Sequence, residues 1–64
     1  MFLFSIHYHL PGLFPRVTVI SAESEEAAWT IYNAVKTPNE TDAWLYALGT
    51  AYEGLASQII SREL

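Results

Sequence analysis

Hydrophobic and polar positions alternate strictly from Phe2 to Leu10, with Phe2, Phe4, Ile6, Tyr8 and Leu10 on one face and Leu3, Ser5, His7 and His9 on the other. A period of two is the mark of a β-strand with one face buried. The "PGLFP" that follows interrupts it, since Pro11-Gly12 is a turn signal and Pro15 bars a continuous strand. Leu13 and Phe14 in this loop are apolar and are expected to fold back on the core or to make a contact. "RVTVISA" resumes a strand, with β-branched residues at Val17, Thr18, Val19 and Ile20. Residues 2 to 21 therefore read as an antiparallel hairpin.

The period then changes. Ser24 is placed to cap a helix, with Glu25 and Glu26 in its first turn and Lys36 in its last, each where the helix dipole favours its charge. Ala28, Ile31, Tyr32 and Val35 fall on one stripe, and Trp29 lies about 100° around the helix from Ala28, at the stripe's edge. "TPNE" carries a capping-box pattern, with Thr37 as N-cap, Pro38 at the first helical position and Glu40 three residues after the cap. It predicts a second helix from Pro38 to near the C-terminus. Leu45, Leu48, Tyr52, Leu55 and Ile59, alternately three and four apart, form its seam. Ala43, Ala47 and Ala51 form a small-residue strip, and Tyr46 projects away from the seam into solvent. Gly49 is a point where this helix could bend.

The predicted architecture is a single α+β domain over residues 1 to 64, of order β-β-α-α, with a hairpin covered on one face by two helices. A two-stranded sheet is marginal alone, and a chain of 64 residues has a small core. Composition adds to this: 52% of residues are hydrophobic and only 16% charged, against roughly 25% in an average domain. Both observations predict a homodimer in which the first or second strand pairs with its copy.

Seven acidic and three basic residues give a formal charge of −4, with Arg16, Lys36 and Arg62 scattered, which argues against direct nucleic-acid binding. There is no cysteine, hence no disulfide and no thiolate metal site. The N-terminus has no basic n-region or small-residue cleavage site, and no apolar run approaches the ~18 residues of a membrane span. The chain is read as complete and cytoplasmic, with no cofactor and no membrane partner.

Candidate chemistry is sparse. His7 and His9 lie on one strand face at a spacing that can hold Zn²⁺, but a third ligand would have to come from Glu23 or from a second copy. A polar solvent or interface face accounts for them more simply. Ser5 stands beside His7 without an orienting acid in sequence, and no glycine-rich phosphate loop is present. The chain is therefore expected not to be an enzyme. Candidate partner-binding residues are the acidic Glu23, Glu25 and Glu26 and the aromatics Phe14, Trp29 and Tyr46, with Trp29 equally able to complete the core.

The run "VTVISAESEEAAWTIYNAV", a β-branched strand leading through a short link into a Glu-rich helix start, together with the hairpin before it, resembles small proteins of phages and mobile elements, among them anti-CRISPR proteins. The resemblance covers residues 2 to 36 in pattern. It implies a non-enzymatic inhibitor that binds a host nucleoprotein complex such as a CRISPR effector, in the host cytoplasm, and blocks its nucleic-acid site or locks its conformation. The modest charge favours shape and aromatic contacts over charge mimicry. The alternative is an assembly module that self-associates or docks through apolar surface.

Overall fold

The computed structural model describes residues 1–51 and 54–64. Strands β1 (Phe2–His9) and β2 (Arg16–Ala22) form the expected hairpin, paired from Phe2 opposite Ala22 to Tyr8 opposite Arg16. Helix α1 (Glu25–Val35) follows; the Ser24 side chain accepts the Ala27 N–H at 3.1 Å, as an N-cap does. Strands β3 (Thr41–Thr50) and β4 (Gln58–Arg62) complete an antiparallel sheet of order β3-β1-β2-β4.

The second helix is thus replaced by two edge strands, and the architecture is β-β-α-β-β with one helix on one face. The spacing of Leu45 and Leu48 fits a helix, but residues 43 to 47 read equally as period two, with Ala43, Leu45 and Ala47 on one face and Trp44 and Tyr46 on the other. β1 decides between them, because its outer edge offers an extended segment a full ladder of partners and aromatic side chains suit a pleated surface. Phe4 pairs with Ala47, Ile6 with Leu45 and His7 with Trp44. Ala43, Ala47 and Ala51 consequently form no helical strip. Of the predicted seam, Leu45 packs beside the core and Ile59 lies in β4, Leu48 is exposed and Leu55 half-buried. Tyr52 lies outside the described residues.

The capping box forms by halves. The Glu40 carboxylate accepts the Thr37 N–H at 2.7 Å, as its motif requires, while the Glu40 N–H donates to the Thr37 carbonyl at 3.1 Å and closes a turn. Pro38 suits the second position of such a turn as well as it suits a helix start. Gly49, the predicted bend, has φ +120° and sits at a bulge where β3 shifts register between its pairings with Leu3 and Phe4.

The core lies between the sheet and α1: Phe4, Ile6, Tyr8, Ile20, Ala22, Ala28 and Tyr32 are buried. Val35 is exposed at the end of the helix, and Leu13 and Phe14 do not fold back on the core but project from the hairpin tip, which leaves the alternative that they make a contact. β1 and β2 are the inner strands of the sheet, so neither can pair with a second copy. No helix among the described residues is long and apolar enough to cross a membrane.

Candidate functional site

α1 covers one face of the sheet, and strand alternation decides which side chains the opposite face carries; that face is open around β1 and β3 among the described residues, while Ser21 at the end of β2 is fully buried and donates to the Ala56 carbonyl. From β1 come Leu3, Ser5, His7 and His9, from β2 Val17, Val19 and Ser21, and from β3 Trp44 and Tyr46, brought into line because Ser5 pairs with Tyr46 and His7 with Trp44. The rings form a continuous row. His7 stacks on Trp44 with centroids 5.4 Å apart and planes at 15°, and meets Tyr46 edge-on at 5.2 Å. His9 leans on the other end of the same indole, also at 5.4 Å. Tyr46 is 56% exposed, whereas Trp44 and His7 are half-buried by each other. Cross-strand aromatic pairs of this kind stabilise the pairing of the strands that carry them.

Opposite Tyr46 in the ladder, Ser5 is buried and its hydroxyl lies 3.0 Å from His7 Nε2. This is nucleophile-to-base distance, but among the described residues no carboxylate hydrogen-bonds His7 to orient it. His7 and His9 share the predicted face, yet Trp44 lies against both rings, and no group of three His, Asp or Glu able to hold a metal ion occurs among the described residues. The face carries no Lys or Arg among the described residues, and Glu63, whose carboxylate accepts the Val17 N–H at 3.1 Å, stands at its corner.

The sequence-predicted site residues do not converge. Glu23, Glu25 and Glu26 are exposed around the start of α1. Trp29 is half-buried against the core, its ring 5.9 Å from Tyr32 and edge-on to it, so it serves packing. Phe14 is 88% exposed at the far hairpin tip, where it lines an open cleft of about 390 Å³ with Gly12, Leu13 and Arg16. Of these partner-binding candidates Tyr46 alone belongs to the open face, beside His7 and His9. Trp44, the centre of that face, is not among the sequence-predicted residues; its spacing of two from Tyr46, matching that of His7 and His9 on the neighbouring strand, is the signal that points to it.

The covered face holds a second constellation. Arg62 reaches under the sheet to pair with Glu40, donates to Thr18 Oγ1 at 2.8 Å and to the Val35 carbonyl at 3.2 Å, and lies 5.5 Å from the ring centre of Tyr8 and 5.9 Å from that of Tyr32. Thr18 in turn bonds the Tyr8 hydroxyl, which donates to the Glu63 carbonyl. Tyr32 donates to Glu40 at 3.0 Å. Every group here has a partner inside the protein, so the cluster ties β4 to the end of α1 and to the hairpin.

The cluster also predicts a pH dependence. Burial pushes the Glu40 carboxyl up, but hydrogen bonds from Arg62, the Thr37 amide and Tyr32 outweigh it and leave the group below the ordinary glutamate range. Its contribution to stability is thus complete above the unfolded-state value of about 4.3 and is lost as pH falls through the lower folded value. Burial, then the hydrogen bond to Glu40 and its charge, push the Tyr32 phenol up, so the stability from the neutral phenol is present below about pH 10 and lost above it. Thermal melts are expected to show a plateau between these limits. In Glu40→Gln the acid fall should be shallower; an unchanged acid slope would rule out Glu40 as its source.

Comparison with protein-family models, with curated proteins and with solved structures finds no match to this chain.

Proposed function

We propose that this chain is a non-enzymatic protein-binding module whose recognition surface is the open face of the sheet, centred on His7, Trp44 and Tyr46. The observation that carries the reading is the row of rings from His9 through Trp44 and His7 to Tyr46, held in place by the pairing of β1 with β3. Aromatic side chains fixed on a rigid scaffold give contact area with little entropy left to lose, which is why they dominate protein interfaces. Without basic residues on the face and with a net charge of −4, a polyanion is a poor occupant, and a protein surface suits it better.

The specific form of the reading is an inhibitor of the anti-CRISPR type, acting on a bacterial nucleic-acid-targeting defence complex. Its support is the first half of the chain, where the hairpin, the Ser24 cap and the Glu-rich helix start follow the pattern that suggested it. In this form the aromatic face makes the contact and the acidic cluster is peripheral.

The test is capture of partners from bacterial lysate by the tagged chain, compared with Trp44→Ala/Tyr46→Ala and with Glu25→Gln/Glu26→Gln. Proteins retained by the native chain should be lost at least tenfold with the aromatic variant, kept with the acidic variant, and little affected by salt, since screening acts on charges. Equal retention by the aromatic variant, or loss confined to the acidic one, would remove the face as the binding surface. For the inhibitor form, expression in a cell with an active CRISPR system should restore plaquing by a targeted phage, and no restoration would leave only the general binding role.

A further inference from the structure

The two edges of the sheet are unlike. β4 is five residues long, carries Arg62 and is bulged where its register against β2 shifts, all features that discourage pairing with another chain. β3 is ten residues long, and its charge, Asp42, lies at the bulge that begins it. Between that bulge and the one at Gly49, the stretch Ala43-Trp44-Leu45-Tyr46-Ala47 is regular, uncharged and free of proline.

Hydrogen bonding specifies which backbone groups this edge presents. The Ala51 N–H donates to the Met1 carbonyl at 3.0 Å, so alternate residues of β1, from Met1 through Leu3, Ser5 and His7, direct their groups at β3. On the other side, the Glu63 N–H donates to the Val17 carbonyl at 3.0 Å, which turns Thr18 and Ile20 toward β1 and agrees with that assignment. Trp44 and Tyr46, opposite His7 and Ser5, are therefore the residues bonded to β1. Ala43, Leu45 and Ala47 point their N–H and C=O groups outward.

The geometry points to a second copy of this chain as the occupant of that edge, with β3 pairing antiparallel to β3 of the other copy about a two-fold axis at Leu45. The stretch is nearly a palindrome in side-chain size. The axis places Leu45 opposite Leu45, Ala43 opposite Ala47, and Trp44 of one copy opposite Tyr46 of the other. Only registers that join the outward groups can bond, and among those that keep the two open faces on one side, this one matches Ala43, Leu45 and Ala47 with themselves throughout. It also keeps the two Asp42 side chains at opposite ends. The product is one eight-stranded sheet whose open face carries both aromatic rows side by side. The inference stands whether or not that face binds another protein.

The test is the mass in solution by light scattering and sedimentation across concentration, with residue-resolved amide exchange by NMR. The expected mass is twice the 7.2 kDa of the chain. The amides of Ala43, Leu45 and Ala47 should slow at least tenfold as concentration rises through dimer formation, while those of Trp44 and Tyr46 stay protected at all concentrations. Ala47→Pro removes an outward donor that β1 does not use, and Ala47→Lys puts a charge on the edge; each should raise the dissociation constant tenfold or more. Should the proline variant lose its fold, the lysine variant and the exchange data decide. A monomer at all concentrations, or a dimer in which those three amides exchange freely, would overturn the proposal.

Discussion

Replacing Arg62 by alanine is expected to destabilise the protein by about 3–5 kcal/mol, the usual cost of leaving one half of a buried ion pair behind. Total stability for 64 residues is on the order of 3–10 kcal/mol, so the variant is expected to be close to unfolded at 25 °C. The Glu40 side chain is fully buried and that of Arg62 only 15% exposed, so water cannot replace the guanidinium. Without it Glu40 keeps only the Tyr32 hydroxyl and the Thr37 amide, while Thr18 Oγ1 and the Val35 carbonyl lose a donor. Urea denaturation measures the effect. Arg62→Lys provides a milder version, because an ammonium cannot reach several partners in one plane as the guanidinium fork does. The pair should also be strongly non-additive: Glu40→Met with Arg62→Met should recover much of what either change alone loses. A loss below about 1 kcal/mol in Arg62→Ala would show that the pair contributes as an exposed surface bridge does.

Ile6→Ala is expected to cost about 2–5 kcal/mol, from the lost burial and the cavity left behind. Ile6 is fully buried on an inner strand, between Thr18 on one side and Leu45 on the other, with α1 over it. The sheet is fixed on both sides by hydrogen bonds, so it has little freedom to collapse into the space. Phe14→Ala is the matched control: it removes a larger side chain, but one that is 88% exposed, and should change stability by no more than about 0.5 kcal/mol. Similar midpoints for the two variants in urea would contradict the assignment of the core to the helix-covered face.

The inner hairpin and the helix were legible because their signals are local and agree. Phe2 to Leu10 alternate with period two, Ser24 with Glu25 and Glu26 marks a helix start, and Ala28 and Tyr32 fall four apart on the face that is buried. The outward position of His7 and His9 followed from the same alternation. The candidate site was legible only in part. Tyr46 was expected to be exposed, and it is, but for a reason other than the helix that placed it there.

The amino-acid sequence by itself determined the β-β-α half of this protein and the two faces of β1, since backbone propensity and side-chain period suffice where each element's pattern has one solution. The second half has two. Residues 41 to 50 satisfy a helical spacing and an alternating one, and Thr37-Pro38-Asn39-Glu40 satisfies both a helix cap and a turn. What chose the strand was the unpaired outer edge of β1, a partner more than 30 residues away in sequence. Only the tertiary structure could decide that Trp44 stands against His7, and that Glu40, which accepts the Thr37 N–H at a turn and not at a helix start, is a buried charge held by Arg62. Both depend on contacts between distant segments, whose energy exists only after the chain has closed the loops between them.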